Sequence, residues 1–258
     1  MEGEERIREA MGPRWRHVPV KALKETDSTN LRLKEAARAG RISPPFLLTA
    51  DCQTAGRGRL GRQFVSPAGT GLYMSLLLPP IKDQGPGVTI LAAVAVCRAL
   101  EEETGVRPWI KWVNDLFVQG KKVCGILAEG ISEGIIVGIG VNLRTPPGGF
   151  PPEAGLAGAL DTEADRFSLA GRIAAHLLSA AETPEDAAWL NEYRERMFLT
   201  GQRVRYTVNG AEKEGLVRGV APDGGLLVSD EEGERTLKSG EVTLGSQSVG
   251  DLLYKQPQ

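Results

Sequence analysis

Three arginines alternate with three glycines in residues 53–62, which read QTAGRGRLGR. Arginine presents a rigid fork of hydrogen-bond donors that suits phosphate or carboxylate, and glycine lets the backbone approach a ligand closely. Arg57, Arg59 and Arg62 would repel one another unless an anion lay between them. The stretch therefore indicates a mobile loop that closes on a phosphate-bearing ligand.

Two other interpretations of this loop are open. Residues 56–61 match the dinucleotide fingerprint GxGxxG, but that fingerprint opens a helix and is followed by an acidic residue about 20 positions later. Here residues 66–71 (SPAGTG) lead into an apolar strand pattern, so the match is accidental. The remaining alternative is a solvated surface loop without a ligand. Polar residues further along the chain favour the ligand-binding interpretation.

A second group of polar residues falls within twelve positions: Lys111, Asn114, Asp115 and Lys122. Lysines beside a hairpin are commonly no more than solvated turn residues. The chain has no P-loop and no GxSxG elbow, and its two histidines, His17 and His176, stand far apart without a cysteine pair. What remains is chemistry that needs positioning and charge stabilisation, such as nucleotidyl or phosphoryl transfer.

Composition favours a protein of the cytoplasm. The 258 residues are 41% hydrophobic and 25% charged, with three widely spaced cysteines and a formal net charge of -2. An odd number of cysteines indicates a reducing compartment, and the slightly acidic balance argues against bulk nucleic-acid binding. The longest uncharged apolar run, residues 88–97, is too short for a membrane span of about 20 residues. The charged N-terminus lacks the apolar core of a signal peptide.

Periodicity and turn signals predict an α+β domain with a mixed sheet and helices mainly on one face. Predicted helices follow the N-cap cluster at residues 26–30 and cover 87–103, 165–181 and 184–198. Predicted strands cover residues 47–50, 71–78, 109–113, 116–118, 123–127 and 134–143. Residues 1–22 are polar and end in a short edge strand, and residues 145–165 form an irregular excursion. Short strands at 204–208, 215–220, 226–228 and 236–237 predict a small β-barrel.

Six stretches, taken in order, resemble the signature of the biotin protein ligases. They are residues 26–30 (TDSTN), 53–62, 66–67 with 71–75 (SP and GLYMS), 111–115 (KWVND), 122–127 (KVCGIL) and 138–142 (GIGVN). The resemblance covers about residues 20–250. It implies a class II synthetase-like catalytic domain over residues 1–199, with a mixed β-sheet flanked by helices, and an SH3-like β-barrel over residues 200–258.

The resemblance also implies a two-step reaction. Biotin and ATP, with Mg2+, give biotinyl-5'-AMP and pyrophosphate, and biotin then passes to one lysine of a biotin carboxyl carrier protein, usually that of acetyl-CoA carboxylase. ATP and biotin are substrates, and no tightly bound prosthetic group or metal site is implied. Homodimers are common in the family, and the strand at residues 134–141 is a candidate for such an interface. No membrane partner is expected.

The resemblance assigns site residues position by position. The biotin-binding residues are Ser28, Thr29, Gln53, Gly56, Arg57, Gly58, Arg59, Lys122 and Gly125. The residues that bind ATP or the adenylate are Arg57, Arg59, Arg62, Phe64, Lys111, Asn114, Gly138, Gly140 and Asn142. The catalytic residues are Lys122, Arg57, Asp115 and Lys111, of which Lys122 contacts the biotin carboxylate and reacting phosphate and Asp115 positions the carrier lysine.

Some positions depart from the family pattern. Phe64 stands where the family often has Trp, and Val113 replaces a usual Pro, so stacking and strand rigidity are expected to differ. Residues 157–160 follow the family pattern only loosely. Because 25 residues precede Thr26, too few for a winged helix-turn-helix, we expect no repressor activity and no DNA binding. Lipoate or octanoyl transfer and a non-catalytic biotin-binding regulator are the alternatives.

Overall fold

The computed structural model describes residues 2–81, 87–244 and 249–253. A mixed seven-stranded sheet forms its centre, with the strand order β1-β2-β3-β7-β6-β5-β4. The strands are β1 Val20–Thr26, β2 Phe46–Gln53, β3 Gly71–Leu78, β4 Trp109–Lys111, β5 Asp115–Val118, β6 Lys121–Ile131 and β7 Gly134–Asn142. Strands β1 and β2 are parallel and all other neighbours are antiparallel, which confirms the predicted α+β class.

Helices cover both faces of this sheet unequally. They are α1 Glu2–Ala10, α2 Gly12–Trp15, α3 Thr29–Arg38, α4 Val88–Thr104, α5 Arg166–Glu182, α6 Ala187–Arg196 and α7 Val249–Leu253. Helix α4 is apolar almost all round and lies in the main core with α5 and α6. Helix α3 packs on the opposite face, where Leu33 and Ala37 meet Leu48, Leu77 and Ile136.

Local signals set several of these boundaries. The side chain of Ser28 caps α3, and Asp165 caps α5 by accepting hydrogen bonds from two backbone N–H groups. Gly105 ends α4 in the left-handed conformation. The predicted helices at residues 87–103 and 165–181 are confirmed to within one residue at each end.

The N-terminal segment was predicted as polar chain, but it forms α1 and α2. Helix α1 buries Ile7 completely and packs against α5, and Met11 is buried just beyond it. Charged residues occupy most of its other positions, so the single apolar contact gave too weak a periodicity to predict a helix. The strand predicted over residues 109–113 ends at Lys111, and the Trp112–Val113 peptide bond is cis.

Strand β7 pairs with β3 on one side and with β6 on the other. It therefore presents no unpaired edge to a second copy of the chain, contrary to the expectation that residues 134–141 could supply a dimer strand. The expectation failed because neighbours in a sheet are set by long-range pairing, which the pattern of a single strand does not contain.

A second, fully antiparallel sheet follows, here called the C-terminal sheet. Its strands are β8 Arg203–Val208, β9 Ala211–Val220, β10 Leu226–Asp230, β11 Gly233–Leu237 and β12 Val242–Leu244, in the order β11-β10-β9-β8-β12. The hairpin at Asn209-Gly210 has both residues at positive φ, as this dipeptide predicts. Strand β12 and helix α7 were not predicted. Residues 1 and 258, the outer limits of the two predicted domains, lie outside the described residues.

Side chains tie the C-terminal sheet to the central domain. Trp112 Nε1 donates to the carbonyl oxygen of Gly224 at 2.9 Å, and the Arg194 guanidinium donates twice to the carbonyl oxygen of Val220. These contacts place the turn after β9 beside the segment that follows β4. No helix among residues 2–81, 87–244 and 249–253 combines the length and apolar character needed to cross a membrane.

Candidate functional site

Glycines on two neighbouring strands form a flat surface on the face that carries α3. Gly125 of β6 lies directly opposite Gly140 of β7, and Gly138 is two residues away on the same face. A Cβ on Gly140 would come within 2.4 Å of the Phe64 ring, and one on Gly138 within 2.2 Å of Asn30 Oδ1. Only glycine permits so close an approach, so Phe64 and Asn30 rest on bare backbone.

A hydrogen-bond network joins Gln53, at the start of the loop, to the N-terminus of α3. Gln53 Oε1 accepts from the backbone N–H of Thr29 at 2.9 Å and from its hydroxyl at 3.1 Å. Gln53 Nε2 donates to Ser66 Oγ at 2.9 Å, and Ser75 Oγ lies 2.7 Å from Thr29 Oγ1. Ser28 is buried beside them as the cap of α3. The predicted biotin-binding residues Ser28, Thr29 and Gln53 are thus neighbours in space.

A charged centre lies where β4, β5 and β6 run side by side. Lys122 Nζ and Asp115 Oδ1 are 2.7 Å apart, with both side chains partly buried. Asn114 Nδ2 donates to the same carboxylate oxygen at 3.0 Å. Lys111 stands opposite Asp115 in the β4–β5 register. The four polar residues that the sequence groups within twelve positions therefore form one cluster.

Burial affects the charge of this centre. Burial lowers the pKa of Lys111, and the nearby carboxylate of Asp115 partly offsets that effect. A cation that is poorly hydrated binds an arriving anion strongly, because less hydration is lost on binding. The centre is therefore suited to a phosphate or carboxylate that approaches from the side of the loop.

The loop arginines do not share one anion site in this structure. Arg59 donates to Asn114 Oδ1 at 2.8 Å and to the carbonyl oxygen of Gly240 at 2.9 Å. Arg62 makes two hydrogen bonds to the Glu241 carboxylate at 2.8 and 2.7 Å, and this bonding lowers the pKa of Glu241. The repulsion between the arginines is thus relieved by Asn114, Gly240 and Glu241. The sequence pattern did not indicate these contacts.

A groove of about 710 Å3 opens beside this loop, within the usual size range of ligand sites. Its walls are residues 54–63 of the loop, Val113, residues 126–129 of β6, Gly87 and Thr89 at the start of α4, and residues 223–224 and 238–239 of the C-terminal sheet. Arg57 is exposed and lines it. Asn114 lies next to the groove, because its side chain donates to the carbonyl oxygen of the wall residue Ile126 at 3.1 Å.

Of the predicted site residues, Gly56, Arg57, Gly58, Arg59 and Arg62 line the groove, and the others, Asn142 and Lys122 among them, do not. Asn142 is buried away from the groove walls and donates to the carbonyl oxygen of Gly158 at 2.9 Å. Lys122 does not form part of the groove walls and lies at the charged centre, paired with Asp115. Within the described part of the chain, no three or more His, Cys, Asp or Glu side chains come together as a metal-binding group.

Similarity to known proteins agrees with this arrangement. Residues 22–145 match the Biotin/lipoate A/B protein ligase family, and residues 199–245 match the Biotin protein ligase C terminal domain. A biotin--[acetyl-CoA-carboxylase] ligase of Mycobacterium tuberculosis is 32% identical, over 94% of this chain and 91% of its own. The chain belongs to the biotin protein ligase family.

Two further relatives extend the family assignment. The "Bifunctional ligase/repressor BirA" of Bacillus subtilis is 37% identical over 77% of this chain. The chain spans 66% of that relative's length, just under two thirds of it. A solved biotin protein ligase from Aquifex aeolicus, in complex with biotin and ATP, is 33% identical with a TM-score of 0.74, covering 88% of this chain and 98% of its own. The predicted fold, including the separate C-terminal unit, is confirmed by these matches.

Some residues that complete the site were not predicted as members of it. Asn30, Ser66 and Ser75 hold the network around Gln53 and Thr29. All three lie inside stretches that resemble the biotin protein ligases, so their positions carried a signal. Glu241 lies outside all six stretches, and only its contact with Arg62 indicates its role.

The glycine surface supports a stability prediction. Gly140→Ala should lower the free energy of unfolding by about 1–3 kcal/mol, because the new methyl group overlaps the Phe64 ring. Gly125→Ala is the matched control, since its Cβ would stand 3.3 Å from the nearest ring atom and alanine otherwise suits a strand better. Thermal unfolding followed by circular dichroism measures both. Equal melting temperatures for the two variants would contradict the proposed overlap.

Proposed function

We propose that this chain is a biotin–[biotin carboxyl carrier protein] ligase that uses MgATP. The observation that carries the proposal is the Lys122–Asp115 pair beside Gly125 of the glycine surface, next to a groove lined by the Gly/Arg loop. The Mycobacterium and Aquifex relatives support the same activity through their names and ligands. Acetyl-CoA carboxylase is the proposed source of the carrier protein.

In the first step, a carboxylate oxygen of biotin attacks the α-phosphorus of ATP. The bond from that phosphorus to the bridging oxygen breaks, and pyrophosphate leaves with the electron pair. Two anions must meet in this step, so the main need is compensation of charge. We assign this compensation to Lys122, which Arg57 can join when the loop closes over the groove. Lys111 adds a third cation at the same strand ends.

In the second step, the amine of a carrier lysine attacks the carbonyl carbon of the mixed anhydride. An amide bond forms, AMP leaves, and the amine loses a proton to solvent or to a nearby base. Asp115 is the carboxylate at this position, and we assign it the orientation of the incoming lysine. In the free protein Asp115 Oδ1 instead lies 2.7 Å from Lys122 Nζ. The Asp115 carboxylate can therefore bind Lys122 first and the carrier lysine afterwards.

The remaining residues hold the two substrates. The biotin ring is assigned to Ser28, Thr29, Gln53, Gly56, Gly58 and Gly125, with Arg57, Arg59 and Lys122 toward its carboxylate. The nucleotide is assigned to Arg57, Arg59, Arg62, Phe64, Lys111, Asn114, Gly138, Gly140 and Asn142. Closure of the loop would exclude water from the anhydride, which hydrolysis would otherwise destroy.

The proposal extends to organisation and location. Residues 1–199 form the catalytic domain and residues 200–258 the C-terminal domain, and the enzyme works in the cytoplasm, where its three unpaired cysteines stay reduced. Of the two activities named for the Bacillus relative, we propose the ligase activity and not the repressor activity, because a formal net charge of -2 does not favour DNA binding. We propose a homodimer whose interface does not use β7 as an added strand.

The direct test is pyrophosphate release by purified protein. With biotin and MgATP, we expect one equivalent to be released as biotinyl-5'-AMP accumulates, and continued turnover once an apo carrier domain is added. Mass spectrometry of the carrier should show one added biotin, and replacing its acceptor lysine by arginine should abolish that change. Lipoate in place of biotin should give no release.

Two outcomes would decide against this function. Release with lipoate or octanoate but not with biotin would make the chain a lipoate-type ligase rather than a biotin ligase. Binding of biotin without any release of pyrophosphate, with or without carrier, would make it a non-catalytic regulator.

A further inference from the structure

One lysine that lines the groove has no role in the ligase assignment. Lys238 follows β11 and lines the groove together with Ser239 and the loop that carries Arg57. Its side chain is 62% exposed and forms an ion pair with Asp223, which lines the same wall. An exposed ammonium on a long stem can change partner at little cost, because it stays hydrated as it moves.

The position of Lys238 is coupled to the loop. Gly240 and Glu241, two and three residues further on, accept three hydrogen bonds from Arg59 and Arg62. In the segment of residues 238–241, Gly240 and Glu241 therefore bind the loop, and Lys238 lines the groove. A ligand that fills the groove beneath the loop is therefore within the reach of the long Lys238 side chain.

Two of the three loop arginines that are assigned to the nucleotide are already paired in the free protein. Arg59 and Arg62 are already engaged by Asn114, Gly240 and Glu241. Glu129 on the opposite wall is held by Asn30 and Lys34. A triphosphate whose α-phosphate reacts at the charged centre must place its two outer phosphates, which carry most of its negative charge, in the adjoining groove.

We propose that Lys238 binds the outer phosphates of ATP and the pyrophosphate that is released. This inference rests on the proposed ligase function and adds a nucleotide-binding residue from the C-terminal sheet. When the nucleotide enters, the ammonium leaves Asp223 for the phosphate oxygens. Asp223 stays in place, because its carboxylate also accepts from the backbone N–H of Gly225 at 3.1 Å. The carboxylate thus competes with the nucleotide for the same lysine.

The proposal predicts opposite effects for the two members of the pair. Lys238→Gln should raise the KM for MgATP and the inhibition constant of pyrophosphate about tenfold each, with the KM for biotin unchanged. Asp223→Asn should lower both constants, because it releases the lysine while keeping an acceptor for Gly225. Lys213→Gln is the matched control: it removes one charge from the same sheet, where Lys213 pairs with Glu232 and does not line the groove.

The assays separate this inference from the function on which it rests. Pyrophosphate release gives the constants for the first step, and transfer from preformed biotinyl-5'-AMP to the apo carrier should proceed equally in Lys238→Gln and the unmodified protein. Absence of release by the unmodified protein would refute the ligase function itself. An active protein whose Lys238→Gln variant keeps both constants within about twofold, or loses transfer as much as release, would refute the role of Lys238.

Discussion

Replacing Lys122 by methionine is expected to slow biotin-dependent pyrophosphate release about 10²–10³-fold, the usual cost of removing one donor that stabilises a developing charge. The loss should appear in kcat, with KM for MgATP changed little, because the charge that Lys122 compensates is greatest when carboxylate and phosphate meet. Single-turnover release at saturating biotin and MgATP measures the chemical step directly.

The geometry makes this substitution a clean test. The Lys122 side chain is 31% exposed, and methionine fills most of the space of its stem. Asp115 keeps the hydrogen bond from Asn114, so the carboxylate is not left without a donor. The variant should therefore fold, and its circular dichroism spectrum and melting temperature should match those of the unmodified protein.

Lys121→Met provides the control. Lys121 is the adjacent residue of β6, is exposed and directs its side chain to Gly158 on the other side of the strand. The same chemical change there should leave kcat within about twofold, because an exposed charge outside the reaction contributes little. Equal rates for Lys122→Met and the unmodified protein would remove Lys122 from the catalytic step.

The extent of sequence prediction can be judged at particular residues. Ser28 was predicted to cap α3 from local signals at residues 26–30, and its side chain does so, whereas its role in binding biotin stays a prediction. The β5–β6 hairpin brings Lys122 to Asp115, and its turn at residues 119–122 was predicted from glycine and polar residues. Local patterns succeed here because the contacts that matter are close in sequence.

Contacts between distant segments could not be predicted in the same way. Phe64 was expected to stack on a nucleotide, and nothing in its sequence neighbourhood places its ring against Gly140, 76 positions later. Arg62 contacts Glu241, which is 179 positions away in the sequence. Neither residue lies on a strand, so no strand register could predict this contact. Such pairs depend on how the C-terminal sheet docks, which only the assembled chain determines.

A second large effect is expected at a buried ion cluster between helices α4 and α6, outside the site itself. Arg196, with a side chain only 6% exposed, donates to Glu101 of α4 at 2.8 and 2.9 Å and to Glu192 within α6 at 2.8 and 3.0 Å. Helix α6 also carries Tyr193, whose hydroxyl donates to the carbonyl oxygen of Val113 beside the charged centre. The cluster therefore fixes the helix on which this part of the site rests.

Arg196→Ala should lower the free energy of unfolding at pH 7 by about 3 kcal/mol, near the lower end of the range for breaking a buried ion pair because Glu101 is 31% exposed. Two carboxylates would lose their shared donor, and a cavity would open between α4 and α6. Urea unfolding and thermal melting measure the loss. Arg205→Ala, which removes an exposed pair with Glu212, should cost no more than about 0.5 kcal/mol.

The pH dependence of the stability loss separately tests whether charge pairing causes it. Burial raises the pKa of Glu192, but hydrogen bonds from Arg98 and Arg196 outweigh it, so the folded pKa lies below the ordinary value of 4.5. A carboxyl group with a lowered folded pKa stabilises the fold above its unfolded pKa, and that contribution is lost as the pH falls through the folded pKa. The stability difference between Arg196→Ala and the unmodified protein should therefore be largest near neutral pH and narrow below pH 4.5. A difference that stays constant down to pH 3 would mean that lost packing, rather than lost charge pairing, destabilises the variant.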